Sequence, residues 1–203
     1  MAFNKKLKSF EAVLNKYNLR YESEDLVIQT QFPFTEYARQ DLMFNINETP
    51  YKSSEAAIRE SIIFPVLREA WKHYADIFTL WVERPINFND ELSGVPDYII
   101  SKKSPRGKIF FENPYIAVVE AKKDDFTGGW AQCSLEMCAI QKINGDDNIS
   151  VFGIVTNGDT WEFAFLKKDA FTLYKGSFSL LDFDKVLNAI CTLFEMSKSQ
   201  FIP

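Results

Sequence analysis

Between residues 115 and 122 the chain reads Tyr-Ile-Ala-Val-Val-Glu-Ala-Lys, and nothing else in it narrows the possible folds so sharply. Five consecutive apolar or aromatic residues do not alternate as they would in a strand with one wet face. The segment is therefore expected to be a strand covered on both faces, inside a sheet packed between layers. Glu120 and Lys122 are two apart, so they point to the same side at the end of that strand. Carrying two charges there costs desolvation unless something compensates. A divalent cation held by Glu120 and a second acid is one compensation; a strand-end salt bridge between Glu120 and Lys122 is the other.

The preceding strand offers the second acid. In Gly94-Val-Pro-Asp-Tyr-Ile-Ile100, Asp97 stands directly after Pro96 at the start of an expected strand, Val95 to Ser101. The polar stretch Lys102 to Asn113 reads as a long hairpin loop into Tyr115 to Ala121. In such a hairpin the start of one strand lies beside the end of the next, so Asp97 and Glu120 are expected to meet. Two carboxylates, the carbonyl of Ala121 and waters make an all-oxygen site, which suits Mg²⁺ or Mn²⁺. Such an ion polarises a phosphate oxygen and generates hydroxide.

Around this hairpin the periodicity predicts a mixed sheet flanked by helices, an α/β (α+β) arrangement. A helix is expected over Ala2 to Tyr17, with Phe3, Leu7, Phe10, Val13, Leu14 and Tyr17 in its stripe, and a short strand over Leu26 to Gln29. Gln31 to Asn47 has no clear period. Ser53 and Ser54 can cap a long helix running to about Tyr74. At 100° per residue Glu60 falls inside that helix's apolar stripe and Glu55 only at its border. A carboxylate on a buried face needs a metal or a partner such as arginine. Strands are expected over Ile77 to Glu83 and Pro85 to Asn89. Gly128 and Gly129 are read as preceding a helix from about Trp130 to Ile143. Then come strands Val151 to Thr156 and Trp161 to Leu166 around an Asn157-Gly158 turn, an edge strand Phe171 to Tyr174, and a closing helix Leu180 to Met196. Residues 1–203 are taken as one domain: an N-terminal extension (1–52), a core (53–166) and a C-terminal strand and helix (167–203).

Composition removes several classes of chemistry. With His73 as the only histidine, expected near a helix end and facing solvent, a histidine base beside a nucleophile has little material. Cys133, Cys138 and Cys191 lack the short spacing of a zinc site and read as buried thiols of a reducing compartment. Met1 to Lys8 carries charge with no apolar run behind it, and no stretch approaches a membrane span, so a cytoplasmic protein without membrane association is expected. The net charge of −5 argues against indiscriminate nucleic-acid binding, though not against a local site. Lys102, Lys103, Arg106 and Lys108 form a basic loop that reads as a solvated hairpin tip.

Pro96-Asp97 followed by Glu120-Ala121-Lys122 resembles the signature of the PD-(D/E)XK nucleases. The stretch from Glu55 to Leu67 is similar to the first helix of nuclease domains in type I restriction subunits and their stand-alone relatives. Gln132, and Val155-Thr-Asn-Gly158 with Trp161 and Phe163, also resemble the helix and hairpin that follow; the likeness spans about Ser53 to Leu166. It implies a restriction-endonuclease-like fold in which Asp97 and Glu120 bind the metal and Lys122 positions or activates water. It further implies an extra carboxylate from the first helix, here Glu60 with Glu55 in reserve, and a glutamine, Gln132, facing the site. Glu136, one turn beyond Gln132, shares its face and is left outside the main site.

The expected function is Mg²⁺- or Mn²⁺-dependent hydrolysis of phosphodiester bonds by an endonuclease or exonuclease, with DNA as the first expected substrate. The alternative is a catalytically inactive nuclease-like fold that binds nucleic acid or protein. A third expectation is an interaction protein whose terminal helices form a homodimer. If Glu60, Asp97 and Glu120 cluster, their repulsion should raise at least one pKa, and Asp97→Asn should then stabilise the metal-free protein.

Overall fold

The structure is a computed structural model that describes residues 9–123 and 125–201. In chain order it runs α1 (Phe10–Lys16), β1 (Arg20–Glu24), α2 (Glu36–Glu48), α3 (Glu55–Ile58), α4 (Phe64–Lys72), β2 (Phe78–Val82), β3 (Ile86–Asn87), β4 (Ser93–Gly94), β5 (Tyr98–Lys102) and β6 (Tyr115–Ala121). It continues with α5 (Phe126–Asn144), β7 (Val151–Thr156), β8 (Thr160–Lys167), β9 (Ala170–Tyr174), β10 (Phe178–Ser179) and α6 (Phe183–Lys198). One mixed sheet has the order β1-β9-β8-β7-β6-β5-β2, with β10 pairing beside β8, and β3 and β4 form a separate small ribbon. The mixed sheet flanked by helices is therefore as expected.

Every residue of β6 is buried, as its unbroken apolar run requires. Two apolar layers do the covering. One contains α6 and the Ile58 to Tyr74 face, set against Ile100, Ile116, Val119 and Ile154. The other contains α5 and Val13 of α1, set against Tyr115, Val118 and Val155. The β5–β6 pairing slips between Ile100, which faces Ala117, and Ser101, which faces Tyr115. Ile116 is thus an extra residue, and it and Ala117 both face the α6 layer. Such a bulge reverses the alternation. It leaves Val118, and with it Glu120 and Lys122, on the α5 side.

The helix expected from Ser54 to Tyr74 does start on the Ser54 cap, whose side chain accepts from the Ala57 N–H. It is not continuous, however: Arg59–Ile63 form a π-turn before α4. Pro65 lies just beyond that turn, and a proline inside a helix has no N–H for the carbonyl four residues back. The abandoned carbonyl of Ser61 accepts instead from Asn45 Nδ2 at 2.9 Å. A wide turn adds one residue and shifts the helical phase by about 100°.

Several boundaries also move. The N-terminal strand is β1, not Leu26 to Gln29; it pairs in parallel with β9, Arg20 opposite Ala170. The Gln29 N–H bonds Thr192 Oγ1 of α6, and Thr30 Oγ1 donates to the Asn188 carbonyl, so side-chain and helix contacts tie down the segment that was expected to be a strand. Part of Gln31 to Asn47 becomes α2, which buries only Leu42, too little for a visible stripe. Phe3 and Leu7 lie outside the described residues. The segments before 53 and after 166 share one sheet through β1 and β9. The three cysteines are buried and free, and exposed His73 stacks on Phe32 at 4.0 Å. Among the described residues no helix is long and apolar enough to cross a membrane.

Asn157-Gly158 turns β7 into β8 as expected, with Gly158 at φ 87°. A Cβ there would come within 2.9 Å of Ile58 Cγ2. Gly158→Ala is expected to destabilise the protein by about 1–3 kcal/mol, from left-handed strain and this contact. Urea unfolding followed by circular dichroism measures it; an unchanged midpoint would contradict the packing of the turn on the helix.

Candidate active site

The site is built where β5 begins and β6 ends. Tyr98 faces Val119, so continuing the antiparallel register by one residue sets Asp97 beside Glu120. Asp97 Oδ2 accepts the Ala121 N–H at 2.8 Å, and its Oδ1 accepts from Arg59 Nη1 at 2.6 Å. Arg59 also donates to Glu83 Oε1 at 2.7 Å, and the Glu83 N–H bonds the Asp97 carbonyl. Asp97 is therefore compensated by an arginine that the π-turn carries to it.

Glu120 is 1% exposed. Its Oε2 lies 3.5 Å from Lys122 Nζ. Lys122 Nζ donates to Gln132 Oε1 at 3.1 Å, and Gln132 Nε2 donates to Glu136 Oε1 at 3.2 Å. Glu136 is wholly buried in α5, with its carboxyl against that of Glu120. The four side chains thus close a ring: Glu120, Lys122, Gln132, Glu136. Helix α5 comes this close because Asp125 caps it early, its side chain accepting from the Gly128 N–H, and because Gly129 has no Cβ. A Cβ on Gly129 would sit 2.7 Å from Val155 Cγ1 and 3.0 Å from Lys122 Cγ. The two glycines consequently belong to the first turn of α5 rather than preceding it.

Asp97, Glu120, Lys122 and Gln132 come together as the sequence implied. Glu60 does not: it is exposed, because the π-turn rotates it out of the stripe in which uniform helical geometry put it. Of the two helix carboxylates it is the exposed Glu55 whose charge acts on Lys122. Ala121 is buried, and its N–H is the group that Asp97 engages. Sequence reasoning missed Arg59, whose signal was Pro65, and undervalued Glu136, whose signal was its place four residues after Gln132 in a stretch, Leu135 to Ile140, that is otherwise apolar.

Burial pushes the Glu120 carboxyl up, and the neighbouring Asp97 charge adds to this against relief from Glu136 and Lys122. Burial pushes Glu136 up as well, with Glu120 adding to it. Desolvation pulls Lys122 down, but the charges of Glu120, Glu55 and Asp97 outweigh it, and the ammonium stays protonated. Glu120 Oε1 and Glu136 Oε2 are buried without a hydrogen-bond partner among the described residues. Two carboxyls in contact bond each other only when a proton lies between them, so the pair wants either that proton or a cation. Unpartnered carboxylate oxygens are the donor chemistry of a hard divalent ion. No group of three or more His, Cys, Asp or Glu side chains stands ready to hold a metal among the described residues. Compared with protein-family models, curated proteins and solved structures, the chain matches none.

Two outcomes follow for the metal-free protein. A carboxyl whose folded pKa is raised stabilises the fold when protonated, and that stability is lost as pH climbs from about 4.5 to about 7. Glu120→Gln should therefore melt higher than wild type at pH 8, by several degrees, with the gap closing toward pH 5. A gap that is the same at both pH values would contradict the buried acid pair. Asp97→Asn, by contrast, should destabilise by about 1–2 kcal/mol, because it removes the charge paired with Arg59 and leaves one of the two donors, Arg59 or the Ala121 N–H, facing an amide NH₂. This reverses the outcome expected from a cluster of Glu60, Asp97 and Glu120, and thermal melting of the metal-free variant decides it.

Proposed function

We propose that this protein is a divalent-metal-dependent nuclease of the PD-(D/E)XK kind, acting on phosphodiester bonds and on DNA first. The observation that carries the reading is Glu120: a buried carboxylate with an unpartnered oxygen, flanked by Asp97 across the strand pair and by Lys122 two residues on. An exposed strand-end salt bridge would leave no carboxylate oxygen dry and unsatisfied.

Asp97 and Glu120 would hold Mg²⁺ or Mn²⁺, with the Ala121 carbonyl and waters completing the set. The ion would supply Lewis acidity toward a phosphate oxygen and a more acidic bound water. Lys122 would position or activate the attacking water, as the resemblance implies. Held between Glu120 Oε2 and Gln132 Oε1, it can orient a water and stabilise the negative charge that develops on phosphorus-bound oxygens. Gln132 orients the ammonium by presenting its amide oxygen. The net charge of −5 weighs against nonspecific coating of nucleic acid, so recognition of a phosphodiester would be local to this site.

One observation favours a second reading, a nuclease-like fold that binds without cutting: Arg59 already neutralises the oxygen of Asp97 that a cation would use. Cleavage of plasmid and single-stranded DNA separates the two. With Mg²⁺ or Mn²⁺ the wild type should cut, and chelation should stop it. Asp97→Ala and Lys122→Ala should each lower the rate by about 10²–10⁴-fold. Cleavage unchanged in both variants would remove the proposed site, and DNA binding without any cleavage would favour the second reading.

A further inference from the structure

We infer that Glu136, on α5, is a direct carboxylate ligand of the divalent ion, sharing it with Glu120; this rests on the proposed metal-dependent reading of the site. Glu136 is 0% exposed and sits in the middle of a helix whose buried face is otherwise almost entirely apolar. Full burial of an acid is unfavourable, and the protein supplies Glu136 with one donor, Gln132 Nε2, at its Oε1. Its Oε2 has no partner among the described residues and neither has Glu120 Oε1, although the two carboxyls are in contact. A purely structural acid in such a place would be tied down by an arginine or by backbone N–H groups. Glu120 and Glu136 instead face each other with lone pairs to spare.

Availability separates the three acids further. Both oxygens of Asp97 are engaged, one by Arg59 and one by the Ala121 N–H. The oxygens left free inside the site belong to Glu120 and Glu136. Mg²⁺ and Mn²⁺ sites are commonly built from few carboxylates with the remaining positions filled by water or phosphate, so no preformed cage is needed, and Asp97 joins this pair through the lone pairs its hydrogen bonds leave free. The ion would remove the repulsion between the carboxylates and replace the proton they otherwise need. Lys122 and Gln132 are the half-exposed members of the ring, so the ion enters from their side.

Isothermal calorimetry of the full chain with Mn²⁺ at pH 7.5 tests this, using wild type, Glu120→Gln, Glu136→Gln and Gln132→Ala. Glu136→Met is the second probe of position 136, and circular dichroism confirms the fold of each variant. The expected result is Mn²⁺ binding by wild type, loss in Glu120→Gln, and an affinity lower by about tenfold or more in both position-136 variants. Gln132→Ala removes the hydrogen bonds to Glu136 and from Lys122 but no ligand oxygen, so it should weaken binding clearly less than Glu136→Gln does. Binding that fails in Glu120→Gln but is intact in Glu136→Gln and Glu136→Met would overturn the inference and leave the metal site standing. Equal weakening by Gln132→Ala and Glu136→Gln would also overturn it, since Glu136 would then act only by positioning Gln132. No Mn²⁺ binding by folded wild type would instead overturn the metal-dependent reading itself, and the role of Glu136 with it.

Discussion

Strand β6 has no exposed residue, and a strand without a wet face must be roofed on both sides. The architecture is largely the consequence. Because β6 and β7 are parallel neighbours, the chain has to cross between them, and α5 makes that crossing over one face. The other face is closed by α4 and α6, elements far apart in sequence. The bulge at Ile116 then sets which layer the end of β6 addresses. Shifted by one residue, Glu120 would face aliphatic side chains of the α6 layer, where no lysine–glutamine–glutamate ring waits for it.

The site is a contest between two ways of managing buried charge. Asp97 is settled: a guanidinium and a backbone N–H take both of its oxygens. Glu120 and Glu136 are not settled, since each is desolvated and each raises the other. A fold selected for stability alone would place apolar residues there. Retaining two dry carboxyls in contact, with an ammonium held 3.5 Å from one of them, is a stability cost that a bound cation would offset. Rigidity comes from Gly129, which lets α5 press against the stem of Lys122 and limits the positions its ammonium can take.

The catalytic candidates were legible because strand geometry is simple. Residues two apart share a side, and the ends of a hairpin meet, so Asp97, Glu120 and Lys122 could be placed from spacing alone. Gln132 followed from the resemblance. Glu60 failed for an equally definite reason: its placement assumed a uniform 100° step, and Pro65 makes the helix take a wide turn first. That turn puts Glu60 in solvent and delivers its neighbour Arg59 to Asp97. The short strand expected at Leu26 to Gln29 failed because a pattern records apolar residues, not what they pack against. Leu26 and Ile28 lie against the layer that contains α6, and the strand that does form, β1, is exposed throughout and owes its existence to β9.

Sequence alone determined that β6 is a covered strand, that its end carries an acid and a lysine on one side, and that the preceding strand brings a second acid to it. Those facts depend on local periodicity, and local periodicity survives any tertiary arrangement. Only the tertiary structure decided what each acid meets. The partners of Asp97 and Glu120 arrive from α5 and from the π-turn after α3, at phases set by the Ile116 bulge and by the turn before Pro65. Both are one-residue irregularities, and their effect on side-chain direction shows only once the elements are packed together.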